Sequence, residues 1–229
     1  MIASFDYDTS VFINCPFDTA YRSIFEAVVF TIFDCGFRPR CALETDDGGE
    51  VRIEKIFDLI AACRLAINDL SRADLDSETN LPRFNMPLEL GVFLGARRYG
   101  DSRQRQKRCL ILDRERYRYR AFISDLSGQD IREHRDNPLE AIRVVRNWLR
   151  VQSPDSAMPG GRMIGERYKM FRYELPELCR GLRLDQDELL FTEFSELVFQ
   201  WLERNQYALF PMTGAGGTSF KIQGHSVWD

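Results

Sequence analysis

Over its first 150 residues the chain alternates short apolar, β-branched runs with longer segments of helical period. That alternation restricts the fold more than any single motif does. Strand runs are read at 11–17 (VFINCPF), 38–43, 65–70 (LAINDL) and 108–112 (RCLIL), with a weaker fifth at 121–126. Pro16 stops the first run, because proline has no N–H to give a ladder. Residues 19–35 are apolar around most of a helical circumference and end at Gly36, a favoured residue just past a helix. In 51–63, Ile53, Ile56, Phe57, Ile60 and Cys63 share one face, while Arg52, Glu54, Lys55 and Asp58 share another. Asn137-Pro138-Leu139-Glu140 opens a further helix, with Asn137 as the cap and Pro138 at the first helical position. Strands separated by helices need right-handed crossovers, which give a mostly parallel sheet covered on both faces. Residues 7–150 are therefore expected to form one doubly wound α/β domain. Residues 151–166 have linker composition, with two Pro and three Gly. Residues 167–205 read as a small helical extension and 206–229 as a tail.

Charge and composition narrow the function classes. The 229 residues hold 31 Lys+Arg against 35 Asp+Glu, a formal net charge of -4. Proteins that neutralise many phosphates are normally basic, so a nucleic-acid partner is not expected. No apolar run approaches the roughly 20 residues that cross a bilayer. The first ten residues have neither a basic nor an apolar leader region, so a cytoplasmic location is expected. The six cysteines are scattered without a CxxC pair, which fits buried reduced thiols. Only two histidines occur, His134 and His225, too few for a zinc site or a histidine-based triad, and no metal is expected. The Arg- and Lys-rich run 97–108 reads as a solvated helix end and loop, or as an interaction surface.

In an open parallel sheet, ligands bind beyond the carboxyl ends of the strands, where strand order reverses. The residues expected there are Asn14 to Asp18, Glu44 to Gly49, Asp69 to Arg72 and Asp113, with Leu81 to Asn85 opening onto the same edge. Neither GxGxxG nor GxxxxGK[ST] follows the first strand, so the usual dinucleotide and P-loop readings fail. The most informative segment is 85–96 (NMPLELGVFLGA), apolar on every side of a helix except at Glu89. Two readings of Glu89 stand side by side. It is a first-turn acid that complements the helix dipole, or a dry carboxylate of raised pKa kept for chemistry.

VFINCPFD at 11–18, NDLSR at 68–72 and MPLELGVFLGA at 86–96 together resemble the nucleoside 2-deoxyribosyltransferase-like and TIR-like superfamily. The resemblance covers residues 10 to 115, about half the chain. It implies a flavodoxin-like α/β domain and cleavage of the N-glycosidic bond of a nucleoside, nucleotide or NAD, in bacteria often within antiphage defence. The family's catalytic glutamate falls on Glu89, its strand-end acid on Asp69 and its first-strand loop on Cys15-Pro16-Phe17-Asp18. The chain departs from the family at Arg83-Phe84-Asn85-Met86-Pro87, where deoxyribosyltransferases carry a Gly/Ser-rich stretch. The Ser/Trp-containing motif of TIR NADases is missing as well.

These residues suit the implied chemistry. Glycosidic C–N cleavage passes through an oxocarbenium-like sugar, which a nearby carboxylate stabilises or traps. NAD enters as substrate, with no cofactor, because its pyridinium nitrogen is already a good leaving group. Asp69 would orient ribose hydroxyls, or else serve as a strand-end turn acid. Arg72 and Arg83 would hold phosphate. Asn14, Asp18, Ser71 and Asn85 complete the expected rim, and Phe17 or Phe84 would stack on a base or pack in the core. A second reading is a non-catalytic nucleotide-sensing or TIR-like assembly module. A homo-oligomer contact through the C-terminal helices is expected, with Trp201 and Phe194 as anchors.

Overall fold

The computed structural model describes residues 6–44, 49–73, 75, 80–154 and 156–205. Five strands run β1 (Ser10–Asn14), β2 (Arg38–Arg40), β3 (Leu65–Asp69), β4 (Arg108–Asp113) and β5 (Arg132–Glu133). Among the described residues there are six α-helices: α1 (Arg22–Asp34), α2 (Arg52–Ala62), α3 (Asn85–Tyr99), α4 (Pro138–Gln152), α5 (Gly161–Leu182) and α6 (Phe191–Asn205). Every strand pair is parallel and the order is β2-β1-β3-β4-β5. This is the flavodoxin-like order, with its reversal between β1 and β3. The chain steps outward from β1 to β2, then crosses back over β1 to build the rest of the sheet.

Side-chain alternation divides the core in two. Val11, Ile13, Leu65, Ile67, Leu110 and Leu112 face α1, α4, α5 and α6. Phe12 and Ala66 face the opposite layer of Ile56, Leu59, Ile60 and Phe93 from α2 and α3. A fully buried amine joins this second layer: Lys107 donates to the carbonyls of Ile60 (2.5 Å) and Cys63, and lies 4.8 Å from the Phe93 ring centre. It thereby satisfies carbonyls at the end of α2, where a cation also complements the dipole. Burial brings its pKa down to about 8. The basic run 97–108 is thus not wholly a solvated surface.

Three sequence expectations need correction. Residues 121–126 are not a strand. Arg118–Ala121 and Ser124–Leu126 form 3-10 turns closed by Phe122 N–H to Tyr119 O (3.1 Å) and Leu126 N–H to Ile123 O (3.2 Å). Tyr119 and Leu126 are buried from these turns, and the fifth strand is only Arg132–Glu133. The connection read as 151–166 is shorter, because α4 runs to Gln152 and α5 begins at Gly161. Ile164, Tyr168, Phe171 and Leu175 already form its buried stripe, and Gly161 and Gly165 lie against α4. A Cβ at Gly165 would lie 3.5 Å from Leu139 Cδ2. The helical extension is a third layer over α1 and α4, in one contiguous core with the sheet. Trp201 and Phe194 belong to that core, packed on Phe171 at ring distances of 5.7 and 5.8 Å. They do not offer themselves to a partner. The expected tail, 206–229, lies outside the described residues. Among the described residues, no helix is long and apolar enough to cross a membrane.

Candidate active site

The carboxyl ends of β1 and β3 meet where the strand order reverses, and two asparagines stand side by side there. Asn14 Nδ2 donates to Asn68 Oδ1 (3.0 Å) and to the carbonyl of Met86 (2.8 Å). Both asparagines are buried, and the second bond ties the first turn of α3 to β1. Asn68 Nδ2 is buried with no hydrogen-bond partner among the described residues. Asn14 is therefore a buried brace beneath the site, not part of its rim.

Glu89 follows one turn along α3 from Met86 and is 8% exposed. Among the described residues its carboxylate has no hydrogen-bond or ion-pair partner. Burial pushes its pKa up to about 7, with the charge of Arg52 at the start of α2 pulling the other way. Cys15, buried at the end of β1, feels Asp69, Glu89 and Asp18 together; burial first, then these acids and Cys41, push its thiol well up. The β1 end thus lies within electrostatic reach of three carboxylates. The remainder of α3 is less covered than its apolar sequence implies. Leu88 is 56% exposed, and Leu81 and Phe84 before the helix are exposed too.

The other expected residues divide between a buried network and an open rim. Asp69 is fully buried, and its oxygens are engaged by the Tyr21 hydroxyl (2.6 Å), the Ser71 N–H (2.8 Å) and His134 Nε2 (3.1 Å). Burial works to raise its pKa. The bond and charge of His134, with Ser71 and Tyr21, outweigh burial and hold it below the usual carboxylate range. The bond from the Ser71 N–H is the one that a strand-end turn acid makes. The Asp69 Oδ2 meets two of these donors and its Oδ1 one. Ser71 is buried as well, its hydroxyl 2.7 Å from His134 Nε2. Serine and aspartate meet the same ring nitrogen, so this is not a triad, in which base and orienting acid use opposite nitrogens. The Asp136 N–H donates to Nδ1 (3.1 Å), which leaves Nε2 as the protonated nitrogen. Burial lowers the His134 pKa, but Asp69 first, then Asp136 and Asp113, raise it on balance.

On the rim, Arg72 and Arg83 both reach Asp18, at 3.1 and 3.4 Å. Burial works to raise the Asp18 pKa, and Arg72 chiefly brings it down. Phe17 is exposed at one edge and packs edge-on against Phe25 at 5.4 Å. Pro16 is buried below it. Asn85 does not cap α3; it is the first helical residue and exposed, with Phe84 in the cap position and no side-chain cap bond. A cavity of about 270 Å³ opens beside this rim, between the β1–α1 loop, α1 and the α5–α6 connection. Pro16, Phe17, Asp18, Arg22, Leu189 and Phe191 are among its walls, and neither Glu89 nor Asp69 is.

Sequence reasoning missed His134, Tyr21 and Asn68. His134 directly follows β5, at a strand carboxyl end, but that strand is too short to announce itself. Among the described residues no group of His, Cys, Asp and Glu is arranged to hold a metal ion. No protein-family model, curated protein or solved structure matches the chain.

Proposed function

We propose that this chain cleaves the N-glycosidic bond of a nucleotide, with NAD the favoured substrate and Glu89 the carboxylate that meets the sugar carbon. One observation carries the reading: a buried carboxylate with no partner among the described residues, at the carboxyl edge of a doubly wound sheet, beside the β1/β3 reversal. Leaving such a group unpaired costs stability, and sites of that kind are where function concentrates.

The chemistry follows from its environment. A carboxyl with a pKa of about 7 is partly protonated in the empty site at neutral pH. A pyridinium ring entering beside it favours the ionised form, because opposite charge lowers a carboxyl pKa. Substrate therefore calls up the anion that the ribosyl cation needs, in a dry setting where the attraction is strong. Nicotinamide leaves as a neutral molecule and requires no acid; water then bonds to the sugar carbon and gives up a proton, for which the Glu89 carboxylate is the nearby base. Arg72 and Arg83 would exchange part of their contact with Asp18 for the pyrophosphate. Asp69 acts at a distance, holding Tyr21, Ser71 and His134 beneath the β3–α3 turn.

Purified protein incubated with NAD, nucleoside monophosphates and deoxynucleosides, with free base read by chromatography, tests the reading. Nicotinamide release that Glu89→Gln lowers by about a thousandfold or more is the expected result. Release that survives this substitution removes Glu89 from the chemistry. The dependence of kcat/KM on pH should rise through about 7, the free-enzyme value, with the kcat profile displaced to lower pH by the bound cation.

A second reading has its own observation. The cavity beside the β1–α1 loop excludes Glu89. A nucleotide seated there would be sensed without turnover, with the α5–α6 connection as the responding part. Saturable nucleotide binding that Glu89→Gln leaves intact, with no base released by either protein, would favour it.

A further inference from the structure

We propose that the turn after β4 holds a binding site for a phosphomonoester dianion, formed by Arg116 and Arg120 around the Tyr117 ring. The segment Arg114-Glu115-Arg116-Tyr117-Arg118-Tyr119-Arg120 carries an arginine at every second position. It begins directly beyond the carboxyl end of β4, at the edge where ligands of such sheets bind. Half of these arginines hold the turn in place. Arg118 donates to Asp113 Oδ1 (2.9 Å) and to the Leu70 carbonyl (2.5 Å), and Arg114 pairs with Glu115 (3.4 Å). Tyr119 and Leu126 share a buried cluster with Met86 and Leu90, which sets the turn against α3, the helix that carries Glu89.

The other half faces solvent. Arg116 and Arg120 are exposed, and their guanidinium carbons lie over one ring, 5.0 and 4.4 Å from the Tyr117 ring centre. The ring fixes both cations through its π-face. Like charges gathered at one ring repel, and an anion bound by both relieves that repulsion. Tyr117 itself is 50% exposed and has φ +65°, the left-handed region that glycine and asparagine adopt most easily. Such strain persists only where the surroundings impose it, and here it holds an exposed aromatic ring against two guanidiniums.

Charge selects the ligand. The acids of the neighbouring turns already have bases: Asp113 has Arg118, Glu115 has Arg114, Asp130 has Arg132 (2.5 Å) and Glu133 has Arg135. Glu133 also accepts the Arg116 backbone N–H and feels its charge. The Arg116 and Arg120 side chains form no ion pair among the described residues. Two unmatched charges suit a dianion better than a carboxylate, which brings only one. The three oxygens of a phosphomonoester give each planar fork acceptors of its own. A nucleic-acid backbone needs a longer track of cations than these two, and the net charge of -4 opposes it. The site uses neither Arg72 nor Arg83, which meet Asp18, so it does not depend on the proposed reaction.

The test is calorimetry on the full chain at low ionic strength, with inorganic phosphate and glycerol phosphate as probes and methyl sulfate, a monoanion, as control. Both probes should bind saturably in the millimolar range or tighter, and methyl sulfate about tenfold more weakly. Arg116→Gln should weaken probe binding about tenfold, the scale of one hydrogen bond to a charge. Arg116→Gln combined with Arg120→Gln should remove one saturable class of sites. Tyr117→Asn suits the left-handed backbone but removes the ring, so it should weaken binding about threefold without lowering the melting temperature. Arg83→Gln should leave this binding in place, which separates the site from the phosphate contacts of the proposed reaction. Absence of saturable binding, equal binding of methyl sulfate, or binding kept in full by the double variant and lost in Arg83→Gln would each overturn the proposal.

Discussion

Stability and reactivity pull Glu89 in opposite directions, and pH separates them. Its native pKa of about 7 lies above the 4.5 of an ordinary glutamate. Between those values the folded protein holds a proton that the unfolded chain has released, so stability falls as pH rises through that window. The contribution is fully present below about 4.5 and lost above about 7. A gap of this size corresponds to at most about 3 kcal/mol. Glu89→Gln keeps the shape and removes the titration, so the variant should be more stable than the parent at pH 8 and nearly equal at pH 4. Denaturant unfolding at the two pH values measures this, and an equal difference at both would mean that the carboxylate is not dry. The residue was legible in the sequence because it is the one acid in an apolar stretch. Asp69 was legible as a position but not as a role. Its partners Tyr21 and His134 lie 48 and 65 residues away, and no local pattern announces a long-range buried hydrogen bond.

At the scale of elements, the parts that declare themselves locally were the readable ones. The start of α4 is such a case: Asn137 Oδ1 accepts the Leu139 N–H at 2.9 Å and Pro138 takes the first helical position, as the sequence predicts. β5 could not be read, since two residues carry no period and their pairing with Leu112 and Asp113 is set by the sheet. The start of α5 was hidden by Gly160, Gly161 and Gly165, whose composition reads as linker, while Gly161 and Gly165 are used in contact with Arg143 and Leu139 of α4. Gly165 shows how that use can be tested. It lies inside α5, outside the left-handed region, and a Cβ there would meet Leu139 at ordinary contact distance. Gly165→Ala should therefore stabilise the protein by about 0.5–1 kcal/mol, the usual gain inside a helix. Gly165→Leu should destabilise it by driving α5 off α4. If both variants lose stability alike in denaturant unfolding, the helices are closer than described.

The whole molecule depends on α5 and α6 being part of the domain rather than an appendage to it. Phe30 of α1 touches Tyr168, Phe171 and Trp201 at ring distances of 5.5, 5.5 and 5.9 Å, while Val28 and Val29 continue the same core towards the sheet. The α5–α6 connection is fastened to α1 as well, since Arg22 donates to the carbonyls of Asp187 (3.0 Å) and Gln186. That fastening stands beside the cavity at the β1–α1 loop, so the third layer also walls one side of the candidate site. A layer that shares its core with the sheet cannot melt alone. Unfolding followed by tryptophan fluorescence, which reports on Trp201 together with Trp148 of α4 and Trp228, and by far-UV circular dichroism should give coincident single transitions. Phe171→Ala, which empties the centre of the aromatic cluster, should lower stability by about 3–5 kcal/mol and move both probes together. If the variant's dichroism instead splits into two steps, the earlier one coincident with the fluorescence change, the helical layer unfolds on its own, and its hold on the β1–α1 loop is too weak to shape the site.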